Sequence, residues 1–178
     1  VHNAFDDRLI AEMNAALAEL AARPNVLVVV LAGEGKSFCA GADLNWMKRA
    51  AGYSSEENLR DSRALAEMLR RLAQCPKPTI AAVQGDVFAG GMGLVAACDM
   101  AVSVSTATYC LSEVKLGLVP ATISPYVIAA MGERAAYRYM LTAERFTAAE
   151  AYRIGFVQEI VVDEELDATI NAMLGELV

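Results

Sequence analysis

Apolar residues in the first part of the chain recur at helical spacing and then give way to short continuous runs. A helix ending near residue 22 is predicted by apolar positions 5, 9, 10, 13, 17 and 20, with Asn3 as its candidate N-cap. The run VLVVVLA at residues 26–32 predicts a strand. A second amphipathic helix is predicted over residues 56–74, with Ser55 as its cap.

The stretch PTIAAVQGDVFAGGMGLVAACD, residues 78–99, organises the centre of the chain. Residues 79–83 form an apolar run between a proline and a glycine, which predicts a core strand. Gly90 and Gly91 follow, and a helix of small residues begins at Met92. Free N–H groups at such a helix start suit a developing negative oxygen, although a Gly-Gly pair by itself is more typical of a tight strand–helix turn without a ligand.

A second loop of the same kind lies upstream, at residues 37–44 (SFCAGADL). It follows the strand predicted at 26–32 and leads into a helix that contains Leu44, Met47 and Lys48. Each loop can aim one backbone N–H. Together they would form an oxyanion hole with two donors.

Beyond residue 99 the pattern continues to alternate between strands and helices. Strands are predicted at 100–104, 106–111 and 156–162. One helix is predicted after Thr122 or Ser124, with Pro125 in its first turn, and another over residues 135–141. Two more helices are predicted, one from a capping box at 147–150 and one from residue 164 onward. This alternation favours an α/β fold.

Composition and charge narrow the function classes. A chain of 178 residues suits one domain, no apolar run is long enough to span a membrane, and a net charge of −7 argues against a nucleic-acid surface. Four scattered cysteines without a CxxC pair favour free thiols in a reducing compartment, and no secretory signal pattern is visible, so we expect a cytoplasmic protein. His2 is the only histidine, which excludes Ser–His–Asp chemistry, and we expect no metal site.

Four ordered blocks carry a family resemblance. The segments FCAGADL, PKPTIAAVQG, AGGMGLVAACDMAV and LSEVKLGLVP resemble the crotonase superfamily, also called the enoyl-CoA hydratase/isomerase family, over the whole chain. The pair FCAGADLNWMK and VPATISPYV is most similar to methylglutaconyl-CoA and isohexenylglutaconyl-CoA hydratases. The resemblance implies a ββα spiral with sheets packed against each other and helices outside. It also implies that strands before and helices after residues 1–178 complete the family pattern.

The resemblance further implies an acyl-CoA site. The amides of Ala42 and Gly90 would hold the thioester oxygen, the Ala40 backbone would contact the adenine, and Glu113 would act as acid/base. Coenzyme A is part of such a substrate, so no separate cofactor is expected. The further substrate-binding residues implied are Gly41, Asp43, Leu44, Trp46, Met47, Gly91, Gly93, Pro120 and Ala121, with Tyr53 as an additional pocket candidate. Singly, Trp46, Met47 and Tyr53 are equally typical of ordinary packing, Asp43 is typical of a helix start, and Asp99 is expected to form a structural hydrogen bond.

Two positions depart from the family pattern. Gly93 stands where family hydratases carry a first glutamate, and Ala121 stands where many members have glycine. Three interpretations of Gly93 remain open: Glu113 acts alone, Asp86 substitutes, or a distal carboxylate of the substrate helps. In the third, the space beside Gly93 would admit a branched acyl group, and its carboxylate would pair with a cation among Lys48, Arg49 and Lys115, each of which is otherwise typical of a solvated surface charge.

The sequence therefore predicts an enzyme that adds water to a 2-enoyl-CoA, with a branched dicarboxylic substrate such as 3-methylglutaconyl-CoA. An enoyl-CoA isomerase and a non-catalytic acyl-CoA-binding protein are the alternatives. The family resemblance implies a homotrimer or a hexamer, with no nucleic-acid or membrane partner.

Overall fold

The computed structural model describes residues 2–178, which form eight α-helices and eight strands. The helices are α1 (Asp7–Ala22), α2 (Leu44–Ala50), α3 (Ser55–Ala73), α4 (Gly90–Ala97), α5 (Ser124–Met131), α6 (Glu133–Thr142), α7 (Ala148–Arg153) and α8 (Leu166–Leu177). The strands are β1 (Val29–Ala32), β2 (Ser37–Cys39), β3 (Thr79–Val83), β4 (Asp86–Phe88), β5 (Met100–Val104), β6 (Thr108–Cys110), β7 (Phe146–Thr147) and β8 (Glu159–Val161). Short 3-10 turns span Glu113–Leu116 and Asp163–Glu165.

The strands form two four-stranded sheets that the chain visits in turn. The first sheet has the order β1-β3-β5-β8 and is parallel throughout. The second has the order β2-β4-β6-β7, in which only β7 is antiparallel to its neighbour. From β1 to β6, successive strands therefore alternate between the two sheets, whereas β7 pairs with β6 in the second sheet before β8 returns to the first. This arrangement confirms the predicted α/β spiral.

The core lies between the two sheets and beneath the helices. All five residues of β3 are buried, as expected of a central parallel strand covered on both faces. The hydroxyl of Tyr109, in the second sheet, donates a hydrogen bond of 2.6 Å to Ser103 Oγ, in the first. This polar contact ties the sheets together inside an otherwise apolar core.

The parallel part of the second sheet brings three loops to one edge. β2, β4 and β6 run in the same direction as neighbours, so their carboxyl ends meet. Residues 40–43, 89–90 and 111–113 follow those ends. The sheet topology thus places the two predicted amide loops and Glu113 along the same edge.

The long elements match their predictions and some helix caps do not. The strands predicted at 79–83 and 100–104 have those bounds in the structure. Asn3 is not the N-cap of α1: that position is Asp6, whose carboxylate accepts a hydrogen bond from the amide of Leu9, while the Asn3 side chain donates to the carbonyls of Glu34 and Ser37. α3 is capped by Ser54 in a capping box with Glu57, one residue before the predicted Ser55.

The C-terminal half shows similar small differences. α5 has Ile123 at the N-cap position with no side-chain cap, so neither Thr122 nor Ser124 caps it, although Pro125 lies in its first turn as predicted. Thr147 caps α7 through the amide of Glu150. The Glu150 carboxylate instead binds Arg153 and the Tyr139 hydroxyl, so the full capping box does not form.

None of the helices in residues 2–178 combines the length and apolarity needed to cross a bilayer. All four cysteines are free, with Cys39 and Cys110 buried. No cluster of three or more potential metal ligands occurs within the same residues.

Candidate active site

A largely apolar cleft lies at the edge where β2, β4 and β6 end. It holds about 760 Å³ of empty space, part of it open to solvent. Within residues 2–178, its only ionisable lining residue is Glu113. A charged group that enters the cleft therefore lies near one carboxyl group and is otherwise surrounded mainly by apolar side chains, which solvate charge poorly.

The first loop turns sharply at Gly41 before α2 begins. Gly41 has φ +86°, and a Cβ there would lie 2.9 Å from the carbonyl oxygen of Phe88 and 3.3 Å from the amide nitrogen of Gly90. The two loops are therefore in contact, which requires glycine at this position. Asp43 then caps α2, because its Oδ1 accepts hydrogen bonds from the amides of Asn45 and Trp46 at 2.8 and 3.0 Å.

The second loop carries backbone strain at Ala89. This residue has φ +47° and ψ −121°, a conformation that costs a non-glycine residue about 1–3 kcal/mol. Its amide is anchored to the carbonyl of Cys110, in β6, at 2.8 Å. The strained turn allows Gly90 to begin α4 directly at the end of β4.

The amides of Ala42 and Gly90 are free donors. Neither forms a hydrogen bond to another group within the part of the chain that the structure describes. Ala42 and Gly90 both line the cleft. Two unused amides beside one apolar space are a suitable arrangement for binding a carbonyl oxygen.

Glu113 lies just beyond β6, at the start of the 3-10 turn Glu113–Leu116. Its Oε2 is buried and has no hydrogen-bond partner within residues 2–178. Burial disfavours the ionised form and raises the pKa of the Glu113 carboxyl above its ordinary value, an effect that a hydrogen bond from its own backbone amide partly offsets. A carboxyl that has one oxygen without a partner and a raised pKa, and that lies in a cleft, is suited to proton transfer.

Comparison with known proteins fits this geometry. The family model described as "Enoyl-CoA hydratase/isomerase" matches residues 1–178. The chain belongs to the enoyl-CoA hydratase/isomerase family. A crystal structure of an enoyl-CoA hydratase from Shewanella pealeana has 46% sequence identity and a TM-score of 0.95, and the match covers 99% of this chain and 66% of that one.

Two relatives of this chain are named for different reactions, hydration and isomerisation. An enoyl-CoA hydratase from Alternaria alternata is 36% identical over 176 residues, which are 98% of this chain and 57% of that protein. The peroxisomal Delta(3,5)-Delta(2,4)-dienoyl-CoA isomerase from Arabidopsis thaliana is 32% identical over 185 aligned positions, covering 96% of this chain and 66% of that protein. The chain thus spans less than two thirds of the length of these relatives.

The structure places most of the residues implied by the family resemblance around the cleft. Those in its lining are Ala40, Ala42, Leu44, Met47, Gly90, Glu113, Pro120 and Ala121. Gly41, Asp43, Trp46, Gly91 and Gly93 are outside the lining.

Trp46 is buried and packs edge-on against Phe5 with ring centroids 6.4 Å apart, so it contributes packing. Gly91 faces Cys39, whose carbonyl oxygen would lie 2.7 Å from a Cβ at this position. Tyr53 is likewise outside the lining.

Gly93 does not provide open space. A Cβ at Gly93 would overlap the side chain of Ile123, and its distance to Ile123 Cβ would be 2.7 Å. The hypothesis that Gly93 leaves room for a branched acyl group is therefore wrong, because Ile123 of the α4–α5 contact already fills that volume.

The residues expected to replace the missing glutamate, or to pair with a carboxylate of the substrate, also lie outside the cleft. Asp86 Oδ1 accepts a hydrogen bond of 2.9 Å from the amide of Thr108, and Asp86 is absent from the lining, so the structure does not support it as a stand-in acid. Arg49 forms a salt bridge of 3.0 Å with Asp7. Lys48 and Lys115 are exposed and, like Arg49, do not line the cleft.

Asp99 has the structural role expected of it, since its Oδ2 accepts from the amide and hydroxyl of Thr79, each at 2.8 Å.

Sequence reasoning missed about half of the lining. The residues it did not assign to the site are Phe5, Leu65, Ala89, Ser112, Leu116, Leu118, Val119, Thr122 and Ile123. Leu116, Leu118 and Val119 gave a usable signal, because an apolar LGLV segment directly after a candidate catalytic residue suits a pocket wall. Phe5 and Ile123 gave none, since their spacing is that of ordinary helix flanks.

Proposed function

We propose that the cleft binds the acyl part of a 2-enoyl-CoA thioester and that the protein adds water across its double bond. The observation that carries this proposal is the buried, unpartnered Oε2 of Glu113 in a cleft that two free amides also line. Family membership supplies the thioester as substrate class. The backbone of Ala40, at the same edge, is proposed to contact the adenine of coenzyme A.

The amides of Ala42 and Gly90 are proposed as the oxyanion hole. Attack at C3 of a conjugated thioester moves electrons onto the carbonyl oxygen, which becomes enolate-like. Fixed N–H donors favour that charged oxygen over the neutral carbonyl, so they lower the barrier and do not merely tighten binding. One such donor is typically worth about 3 kcal/mol.

Glu113 is proposed to serve as both base and acid. Its carboxylate takes a proton from water as the water oxygen forms a bond to C3, and the resulting carboxylic acid returns that proton to C2 of the enolate. One O–H bond of water and the π bond between C2 and C3 break, one C–O and one C–H bond form, and the carboxylate is regenerated. A single carboxyl therefore suffices for hydration without the glutamate that Gly93 replaces.

The cleft lining favours an apolar acyl chain. A glutaconyl-type chain, as the sequence resemblance suggested, ends in a carboxylate that needs a cation or several donors. Among the described residues no lysine or arginine lines the cleft, and Glu113 would repel that carboxylate. We propose a 2-enoyl-CoA with an uncharged chain as the preferred substrate and 3-methylglutaconyl-CoA as the comparison.

Double-bond isomerisation is the second candidate. It needs a single group that removes a proton from one carbon and returns it to another, and the cleft holds a single carboxylate. The Arabidopsis relative is named as an isomerase. The enolate intermediate and its oxyanion hole are common to both reactions.

One experiment separates these functions. The protein is incubated in D₂O with crotonyl-CoA, a 3-enoyl-CoA and 3-methylglutaconyl-CoA, and the products are identified by mass spectrometry. A 3-hydroxyacyl-CoA supports hydration, and a shifted double bond supports isomerisation. If neither product forms, and Glu113→Gln binds the thioesters as well as the unaltered protein, the non-catalytic binding function gains instead.

A homotrimer or hexamer belongs to the same proposal. Leu116, Leu118 and Val119 at the rim of the cleft are 60%, 47% and 78% exposed, which is unusual for large apolar residues and supports an interface there. Light scattering combined with size-exclusion chromatography measures the assembly, and a monomer at all concentrations would contradict it.

A further inference from the structure

We infer that Phe5 is a positioning residue that aims both oxyanion amides, the one of Ala42 through its backbone and the one of Gly90 through its ring. This inference rests on the proposed oxyanion hole. Phe5 lies far from both loops in sequence, immediately before α1, and 2% of its surface is exposed.

The backbone of Phe5 fixes the first amide. The N–H of Phe5 donates to the carbonyl of Gly41 at 2.9 Å, and the carbonyl of Phe5 accepts from the amide of Asp43 at 2.9 Å. The Gly41 carbonyl and the Ala42 N–H belong to the same peptide group, which is trans and planar, so they point in opposite directions. Holding the carbonyl toward Phe5 therefore turns the Ala42 N–H away from it.

The ring of Phe5 constrains the second amide. It lies against the α-carbon of Gly90, where a Cβ would overlap the ring and come within 2.8 Å of Cε1. Gly90 follows the strained residue Ala89, so its peptide group needs external contacts to keep one orientation. The indole of Trp46 packs edge-on against the Phe5 ring, with a centroid distance of 6.4 Å and an interplanar angle of 60°.

A substitution pair tests the ring. Phe5→Leu keeps both backbone hydrogen bonds and removes the contact surface on Gly90. Phe156→Leu is the matched control, because Phe156 is also 2% exposed and packs edge-on against an aromatic ring, Tyr109, but does not line the cleft. Both variants lose core volume, and both are expected to lose comparable stability.

The measurements are kcat and KM with crotonyl-CoA, and the absorption maximum of a bound cinnamoyl-type CoA thioester, whose red shift reports polarisation of the carbonyl. For Phe5→Leu we expect kcat to fall by about tenfold to a hundredfold, KM to change by less than about threefold, and the red shift to shrink. Phe156→Leu should retain kcat and the red shift. Equal kcat losses in the two variants, or an unchanged red shift in Phe5→Leu, would overturn the inference.

A second variant covers the case in which Phe5→Leu does not fold. Trp46→Phe removes an indole N–H that is buried and has no hydrogen-bond partner among residues 2–178, so we expect it to fold, and it loosens the support of the Phe5 ring. A smaller red shift and a kcat lowered by a few fold are expected; unchanged values contradict the inference.

Failure of the inference can be told from failure of the proposed function. If the unaltered protein neither converts an enoyl-CoA nor shifts the absorption of the probe, both fail. If Glu113→Gln abolishes turnover while the Phe5 and Trp46 variants leave the red shift intact, only the role of Phe5 fails.

Discussion

Ile123 occupies the volume that a side chain at Gly93 would need. A Cβ on Gly93 would be 2.7 Å from Ile123 Cβ, and Ile123 itself is 3% exposed and lines the cleft. The two residues therefore form a complementary pair across the contact between α4 and α5. This pairing explains why glycine at position 93 leaves no cavity.

The Gly93–Ile123 pair predicts a coupled effect on stability. Gly93→Ala alone should lower the free energy of unfolding by about 1–3 kcal/mol, because overpacking a rigid core forces neighbours to shift. In an Ile123→Ala background the same change should cost much less. Urea unfolding of the four proteins in this double-mutant cycle measures the difference, and equal costs in both backgrounds would rule out direct contact.

Loss of the Glu113 carboxylate should abolish most of the activity. Glu113→Gln keeps the size of the side chain but cannot exchange a proton, so kcat for crotonyl-CoA is expected to fall about 10²–10⁴-fold. Lys115→Ala, two residues away and outside the cleft, is the matched control and should retain full activity. Comparable losses in both variants would indicate disruption of the local turn.

The raised pKa of Glu113 predicts the pH dependence of kcat/KM. In the proposed mechanism the ionised carboxylate is the base, so activity should rise as pH increases through the pKa of this group. Because burial raises that pKa, the acid limb should lie at a higher pH than for an exposed glutamate near 4.5. A pH profile from 4 to 9 measures it. A limb at or below the ordinary glutamate value contradicts the assignment.

The same group predicts a pH-dependent stability. A carboxyl whose pKa is higher in the folded state binds protons more tightly there, so the ionised form destabilises the fold. Glu113→Gln should therefore be more stable than the unaltered protein at pH 7. That advantage should shrink as pH falls through the raised pKa and disappear below the pKa of the unfolded chain. Melting temperatures at several pH values provide the measurement.

Asp99 predicts a purely structural effect. Asp99→Ala leaves the buried amide and hydroxyl of Thr79 without their acceptor and should lower the free energy of unfolding by about 1–3 kcal/mol. Asp99 lies outside the cleft, so kcat below the melting transition should stay within about twofold of its original value. A large loss of kcat at full folding would instead connect Asp99 to the site.

Sequence patterns predicted the long buried elements best. The runs at 79–83 and 100–104 are apolar except for Thr79 and Ser103, and each is followed by a polar residue, so their bounds were readable. β2 and β4 were not predicted, because three residues each are too few for a periodic signal, and both lie inside segments that look like loops. Their pairing with β6 is a long-range event that no local pattern reports.

The site was only partly predictable for a related reason. Motif residues such as Ala42, Gly90 and Glu113 could be placed because their blocks resemble a known family. The contribution of Ile123 depends on how closely α4 approaches α5, and that of Phe5 depends on a parallel bridge to Ala42. Both arise from tertiary packing and left no trace in spacing or composition.

The loops after the three parallel strands separate the groups proposed to bind the substrate from the group proposed to catalyse the reaction. Two of them, after β2 and β4, provide the groups that would hold a thioester, and the third, after β6, provides Glu113, the only acidic residue among residues 2–178 that lines the cleft. Substitutions within residues 111–116 would change the reaction, while the two loops that would hold the thioester stayed the same. A fold divided in this way allows a new reaction to evolve through changes in one loop. The loops proposed to bind the thioester, and the sheet that carries them, can stay unchanged.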